Sequence, residues 1–387
     1  MKIAFVTHYD LMKKWTWSTH LVGHYGTSYY MAQSLKARCQ SLEYIGPLED
    51  KYSFGSKLEF HVHRLLNLQT YHDWASPSIN KNYARQIAKK ISKSNPDIIL
   101  CPHMNVIAYL KCEQPVVLWT DSLYTGTMST FPDGKPCQTS VRHLKTLDRL
   151  AMKNCRLVIF SSEWAAQLAI ETYNVDPAKV KVVPTGANLE SDRTTDRIDR
   201  IIRSKSSKIC KLLFCGVNWV RKGGDIALEV AKRLNNSGIP TELSIVGCQP
   251  EINEAIPEEF VKLLGFVKRS TPEGQAEIER LFQESHFLIL PSRTDFTPAV
   301  IREASSFGLP CITSNVGGIP TLVRDGYNGK VFAVDASVDE YCTYISQFFG
   351  DRSRYTNLCF SSFQEYESRL NWSAAGEAAI KHLSAII

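Results

Sequence analysis

Three observations predict an α/β chain built of two doubly wound, Rossmann-like domains. Short apolar runs of strand length alternate with helical periodicity along the whole 387-residue chain. A charge-dense stretch at 190–208, poor in apolar residues, divides two such series. Glycine-containing loops follow the first strand of each series, the pattern of parallel sheets that bind anions. The chain is long enough for two domains of ordinary size. We place them at 1–188 and 189–370, followed by a final helix over 371–387.

Composition narrows the function classes. Hydrophobic content of 44% and charged content of 22% describe a globular chain. A net charge of +6 admits an anionic ligand or a membrane surface. No arginine-rich block or zinc-finger spacing points to nucleic acid. The eleven cysteines include no C-x-x-C pair, and Cys101, Cys215 and Cys311 fall in apolar runs. They read as small buried hydrophobes in a reducing compartment. No Asp-x-Asp pair or His/Cys cluster of ligand spacing occurs, so no metal is expected. The apolar run after Lys2 is too short for a signal-peptide core, and no stretch reaches membrane-spanning length. The expected location is the cytoplasm, with peripheral contact at the inner face of the membrane compatible with the charge.

In the first series, residues 2–7 form a buried strand by their apolar continuity. The loop HYDLMKKWTWSTHLVGHYG follows, then a helix over 27–37 and a strand at 42–45. Residues 55–93 read as mostly helical, broken at Ser76-Pro77, and strands follow at 97–101, 116–119 and 157–160. A helix over 162–173 and a strand at 181–183 complete the series. Residues just past the carboxyl ends of parallel strands line the crevice of a doubly wound sheet. This nominates His8, His103 and Asp121, although an aspartate at that place can equally cap a turn. Trp17 lies beside Lys13 and Lys14, where it either stacks on a sugar face or packs its loop.

The second series begins at 211–216 and runs into VNWVRKGGD and a helix over 225–234. Ile226, Val230 and Leu234 mark one face of that helix, and Gly238 closes it. Arg221 and Lys222 before Gly223 and Gly224 suit a phosphate: glycines admit the backbone, a helix N-terminus faces the anion, and two cations offset its charge. Solvated loop cations are the plain alternative. Strands at 243–247 and 263–266 and a helix at 275–284 lead to HFLILPSRTDFTPAVIREASSFGLPCITSNVGG. There a strand ends at Pro291, and Thr297-Pro298 fit an N-cap and a first helical residue. Gly308 and Pro310 stop the helix, and after another strand Gly317-Gly318 turn the chain. Asp295 before this helix and Glu303 within it have seven residues between them and can reach one ligand; alternatively they are a loop acid and an exposed helix residue. A strand at 330–333 and helices at 338–349 and 353–367 precede the last helix.

The run PSRTDFTPAVIREASSFGLPCITSNVGGIP resembles the donor-site signature of family 4 retaining glycosyltransferases, which have the GT-B fold. That signature is an acid, seven residues, a glutamate, a small-residue helix ending in G-x-P, and a later GG-x-P. Asp295 stands where glutamate is usual, and Thr297-Pro298 where Phe-Gly is common. Lys222-Gly223 matches the family's lysine-glycine pair, but the family's arginine falls at Val217, which leaves Arg221 as its substitute. Only Gly26 stands where a Gly-Gly pair approaches the donor phosphates, and a histidine usual near Thr120-Asp121 is missing.

The resemblance implies two domains facing across a cleft and a last helix that crosses back to the first. It implies retaining transfer of a hexosyl unit from a nucleotide-diphosphate sugar, of UDP or GDP type, to a hydroxyl acceptor. The acceptor would be a glycan, a lipid-linked molecule or a small molecule, with no cofactor. Lys222, Arg221 and Asp295 would then be catalytic. Glu303, Gly26, Gly223, Thr297, Pro298, Gly317 and Gly318 would bind the donor, and Asp121, His8, His103 and Trp17 the sugar or acceptor. A GT-B sugar phosphorylase, a nucleotide-sugar epimerase and a non-catalytic nucleotide-sugar binding protein compete with this reading.

Overall fold

Runs of apolar residues without polar alternation form strands buried on both faces, and such strands pair in parallel beneath helices. In the computed structural model β3 (Ile98–Cys101) and β4 (Val116–Thr120) are buried at every residue. With β1 (Lys2–Val6), β2 (Ser41–Ile45), β5 (Leu157–Phe160) and β6 (Val180–Val182) they form a six-stranded sheet ordered β2-β1-β3-β4-β5-β6. The second sheet takes β7 (Cys210–Cys215), β8 (Thr241–Val246), β9 (Val261–Gly265), β10 (Phe287–Leu290), β11 (Cys311–Ser314) and β12 (Gly329–Phe332). Its order is β12-β11-β10-β7-β8-β9, and the strand pairs of both sheets are parallel. The structure describes residues 1–13, 22–50, 62, 70–127, 136–189, 193–251, 255–269 and 271–387.

The chain forms two compact units. One holds the first sheet and residues 375–387; the other holds most of residues 186–374. Each has its own apolar core. In each sheet the strand order reverses beside the first strand of the series, between β1 and β3 and between β7 and β10. Loops diverge to opposite faces at such a point and leave a crevice at the carboxyl ends.

Most expected elements form within a few residues of their predicted bounds. The helix predicted over 27–37 starts earlier, at Val22, and spans Val22–Lys36. Gly26 is therefore a buried residue inside a helix, which corrects its reading as a turn or loop glycine. A glycine costs a helix about 1 kcal/mol, and burial of Met31, Ala32 and Leu35 on the same helix outweighs that. The short helix Trp219–Lys222 was not expected, and the helix Thr195–Ser204 occupies the charge-dense stretch with Ile198, Ile201 and Ile202 buried. Trp17 and most of residues 55–69 lie outside the described residues.

His286 ties the start of β10 to β7. Its Nδ1 accepts from the Lys211 amide at 2.9 Å, and Nε2 lies 2.8 Å from the Ser206 carbonyl, which it can reach only as a donor. Burial lowers its pKa from 6.5 to about 3. The unfolded chain takes up a proton between those values that the fold refuses. This part of the stability is therefore complete above pH 6.5 and is lost as pH falls towards 3, at no more than about 1.4 kcal/mol per pH unit. Acid unfolding followed by circular dichroism is expected to show this limb, and His286→Gln to flatten it. An acid limb unchanged by His286→Gln would assign the loss to other groups.

Candidate functional site

Three loops of the second unit meet at the carboxyl edge of its sheet because glycines let their backbones touch. After β7, the Asn218 side chain caps the helix Trp219–Lys222 by accepting from the Arg221 amide at 2.8 Å. Gly223, at φ +75°, ends that helix and opens the next, Gly224–Asn236. A Cβ on Gly223 would lie 2.0 Å from the Pro291 carbonyl oxygen, so no other residue fits. Gly317, at φ +50°, lies against the loop after β10 in the same way, 1.9 Å from the Asp295 carbonyl oxygen for an added Cβ. Gly318 precedes the helix Ile319–Leu322.

This packing gathers the predicted catalytic residues. The buried Lys222 ammonium donates to Asp295 Oδ2, and Arg221 Nη1 lies 3.7 Å from Asp295 Oδ1. Arg221 also donates to the Thr294 carbonyl at 3.2 Å. The Phe296 amide at 3.0 Å and the Ser292 hydroxyl at 3.3 Å complete the bonds to the aspartate. Burial lowers the Lys222 pKa, and Asp295 opposes that shift. Gly216 leaves room for the lysine stem, since a Cβ there would stand 2.9 Å from Lys222 Cγ.

Glu303 is only 1% exposed, which rules out a solvated helix residue. Its Oε2 accepts from Arg269 Nη1 at 2.5 Å, while Oε1 is buried with no hydrogen-bond partner among the described residues. Arg269 follows β9 and also points Nη2 at Cys215 Sγ, 3.8 Å away. Burial opposes its charge, but the Glu303 carboxylate and the sulfur hold its pKa above the ordinary value. Cys215 ends β7 and is within electrostatic reach of Lys222 as well, so the two charged clusters adjoin. The sequence reading missed Arg269. It stands 34 residues from Glu303, and the only available signal was that a buried carboxylate needs a partner.

The entry to the glutamate's helix differs from expectation. The helix is Ala299–Ser305, with Pro298, not Thr297, at the N-cap position, at ψ 123° and without a side-chain cap. The Thr297 carbonyl is instead held by Arg302 Nη1 at 2.8 Å, and Arg302 Nε reaches the Gly186 carbonyl at 3.0 Å.

In the first unit, His8 follows β1, His103 follows β3 and Asp121 follows β4. The His8 and His103 rings are 5.0 Å apart, and His24 Nε2 lies 3.2 Å from His103 Nδ1. His8 Nδ1 and His103 Nε2 are buried without a partner among the described residues. Burial, and then repulsion from His24, lowers the His8 pKa to about 4; His103 falls well below its usual value for the same reasons. These are neutral imidazoles at neutral pH. Asp121 acts electrostatically on His24, which sequence reading left unassigned in a loop. The segment after Asp121 is fixed by the buried Asp148, which accepts from the Tyr124 and Thr125 amides and from the Thr125 and Tyr173 hydroxyls.

Among the described residues no group of three or more His, Cys, Asp or Glu is arranged to hold a metal ion. None of their helices is long and apolar enough to cross a membrane.

Comparison with known proteins follows the two sheets. The family described as Glycosyltransferase Family 4 matches residues 28–191, and the one described as Glycosyl transferases group 1 matches residues 210–351. Over 267 residues the chain is 25% identical to UDP-Gal:alpha-D-GlcNAc-diphosphoundecaprenol alpha-1,3-galactosyltransferase of Escherichia coli, covering 63% of this chain and 68% of that one. It is 27% identical over 181 residues to D-inositol 3-phosphate glycosyltransferase of Mycobacterium sp. (strain KMS), covering 45% of this chain and 40% of that one. The match thus spans less than half the length of the mycobacterial enzyme. The crystal structure of Anabaena HepE in complex with UDP and glucose has the same fold, with a TM-score of 0.64, 18% identity and 100% of both chains covered.

Proposed function

Given that this chain belongs to the family 4-like glycosyltransferases of GT-B fold, we propose that it moves a hexosyl unit from a UDP-sugar to a hydroxyl acceptor with retention. The observation that carries this reading is the Glu303 carboxylate, buried, held at one oxygen by Arg269 and open at the other. A neutral diol is the ligand such an oxygen fits, because its hydroxyls donate hydrogen bonds without bringing a second charge, and a nucleotide ribose supplies one. Lys222 and Arg221 then face the diphosphate. Asp295 keeps the lysine charged in a buried place and reaches hydroxyls of the transferred sugar. The turns at Gly223 and Gly317-Gly318, with Thr297 and Pro298, shape the backbone around the donor.

In retaining transfer the leaving diphosphate and the acceptor lie on one face of the sugar. The step gains more from stabilising the leaving charge than from a strong base. On this reading residues 189–370 bind the donor. Residues 1–188 bind the acceptor, through Asp121 and the neutral imidazoles of His8, His24 and His103. UDP is favoured over GDP because the galactosyltransferase is named for UDP-Gal and HepE was crystallised with UDP. The same relative's diphosphoundecaprenol substrate supports a lipid-linked acceptor, reached by peripheral contact with a membrane.

A panel of UDP- and GDP-sugars, scored by thermal shift and then by slow hydrolysis, tests the donor. At least one UDP-sugar is expected to raise the melting temperature and to be hydrolysed. NMR of the transferred sugar is expected to show the anomeric configuration of the donor. Stabilisation by no nucleotide-sugar, or an inverted product, would overturn the reading.

A further inference from the structure

Two helices of the first unit, Pro77–Ser94 and Gln138–Asn154, carry a one-sided charge. Lys81, Arg85, Lys89 and Lys93 are exposed and recur every fourth residue on the first. Arg142, Lys145, Arg149 and Lys153 are exposed on the second, at intervals of three and four that keep side chains on one face. Pro77–Ser94 contains no acid, and the one acid of Gln138–Asn154, Asp148, is fully buried.

The two stripes adjoin. Both helices pack on the short helix Met104–Ile107 and on the turn Asp73–Ala75. Lys81 Nζ lies 5.5 Å from the centre of the Tyr109 ring, and Arg149 acts electrostatically on the same tyrosine. None of the eight basic residues is in an ion pair among the described residues. In the second unit, by contrast, Arg203, Lys211, Arg233, Lys262, Arg280 and Arg293 are each paired with an acid. A solvated helix face ordinarily mixes both signs, because like charges four residues apart oppose the helix. Unmixed stripes on two neighbouring helices call for an extended polyanion.

We propose that this face docks the first unit on the anionic phospholipid headgroups of a bilayer. The face is broad, and neither helix exposes a large apolar side chain, which fits electrostatic docking on a surface and not insertion. No exposed aromatic of these helices offers a platform for nucleic-acid bases. The inference deepens the proposed function, on which it rests only for its purpose: a lipid-linked acceptor is met at such a surface.

Vesicle flotation without donor or acceptor tests it, using phosphatidylcholine alone and phosphatidylcholine mixed with phosphatidylglycerol. The protein is expected to float with the mixed vesicles only and to be released by high salt. Each charge removed is expected to lower partitioning about fivefold at low ionic strength, the equivalent of about 1 kcal/mol. R142Q/K145Q/R149Q/K153Q should then bind on the order of a few hundredfold more weakly, with an unchanged donor thermal shift. K81Q/R85Q/K89Q/K93Q repeats the test on the other helix should the first variant fail to fold. Wild-type-like flotation of both variants, equal binding to neutral vesicles, or retention on duplex RNA without vesicle binding would overturn the proposal. Loss of the donor thermal shift in wild-type protein that still floats would count against the proposed function instead.

Discussion

Lys222→Ala is expected to lower kcat about a hundredfold, the loss typical of removing a preorganised positive group from a developing anionic leaving group. The single substitution also strands Asp295, whose carboxylate is buried beside the lysine. Breaking a buried pair from one side costs about 3–5 kcal/mol, so a lower melting temperature is expected together with the slower turnover. Lys222→Met combined with Asp295→Asn separates the two effects. It removes both charges at nearly constant volume, and stability should largely return while the rate does not. Stopped or single-turnover kinetics beside thermal melts decide the matter. Recovery of the rate along with stability would make Lys222 a structural residue.

Glu303→Ala is expected to weaken donor binding by about 1.5–3 kcal/mol, the range for a hydrogen bond to a charged group. That corresponds to roughly tenfold to 150-fold in Kd. Arg269 loses its partner in this variant but remains partly accessible, with 26% of its side chain exposed, so the fold should survive. Glu303→Gln is the informative companion. It keeps the shape and a carbonyl acceptor but cannot pair with Arg269 as a charge, and an intermediate Kd is expected. Isothermal titration with the nucleotide alone isolates the ribose contact from the sugar. Unchanged nucleotide affinity in both variants would remove Glu303 from the ribose.

Strands were legible wherever burial on two faces writes a continuous apolar run, as in residues 287–290. The same holds for the turns, because Gly308, Gly317 and Gly223 adopt positive φ that other residues resist. Local pattern was less informative at helix starts. Val22–Lys36 and Ala299–Ser305 begin where packing and a proline's ψ place them, against the propensities of Gly26 and Thr297.

By itself the sequence determined the alternation of strands and helices and the division into two series, and it nominated candidate site residues. Lys222, Asp295 and Glu303 could be nominated because a cation beside glycines and two carboxylates stand near strand ends in a pattern that resembles the family's donor-site signature. Only the tertiary structure decided how they are joined. Asp295 turns out to be the lysine's ion-pair partner, and Glu303 is oriented by Arg269. His24 completes a cluster with His8 and His103. The basic stripes of two helices become one face through Tyr109. For the two ion pairs the reason is the same. Periodicity and capping act over a few neighbouring residues, whereas the cost of burying a charge is met by whatever partner the strand order brings alongside, however distant in the chain.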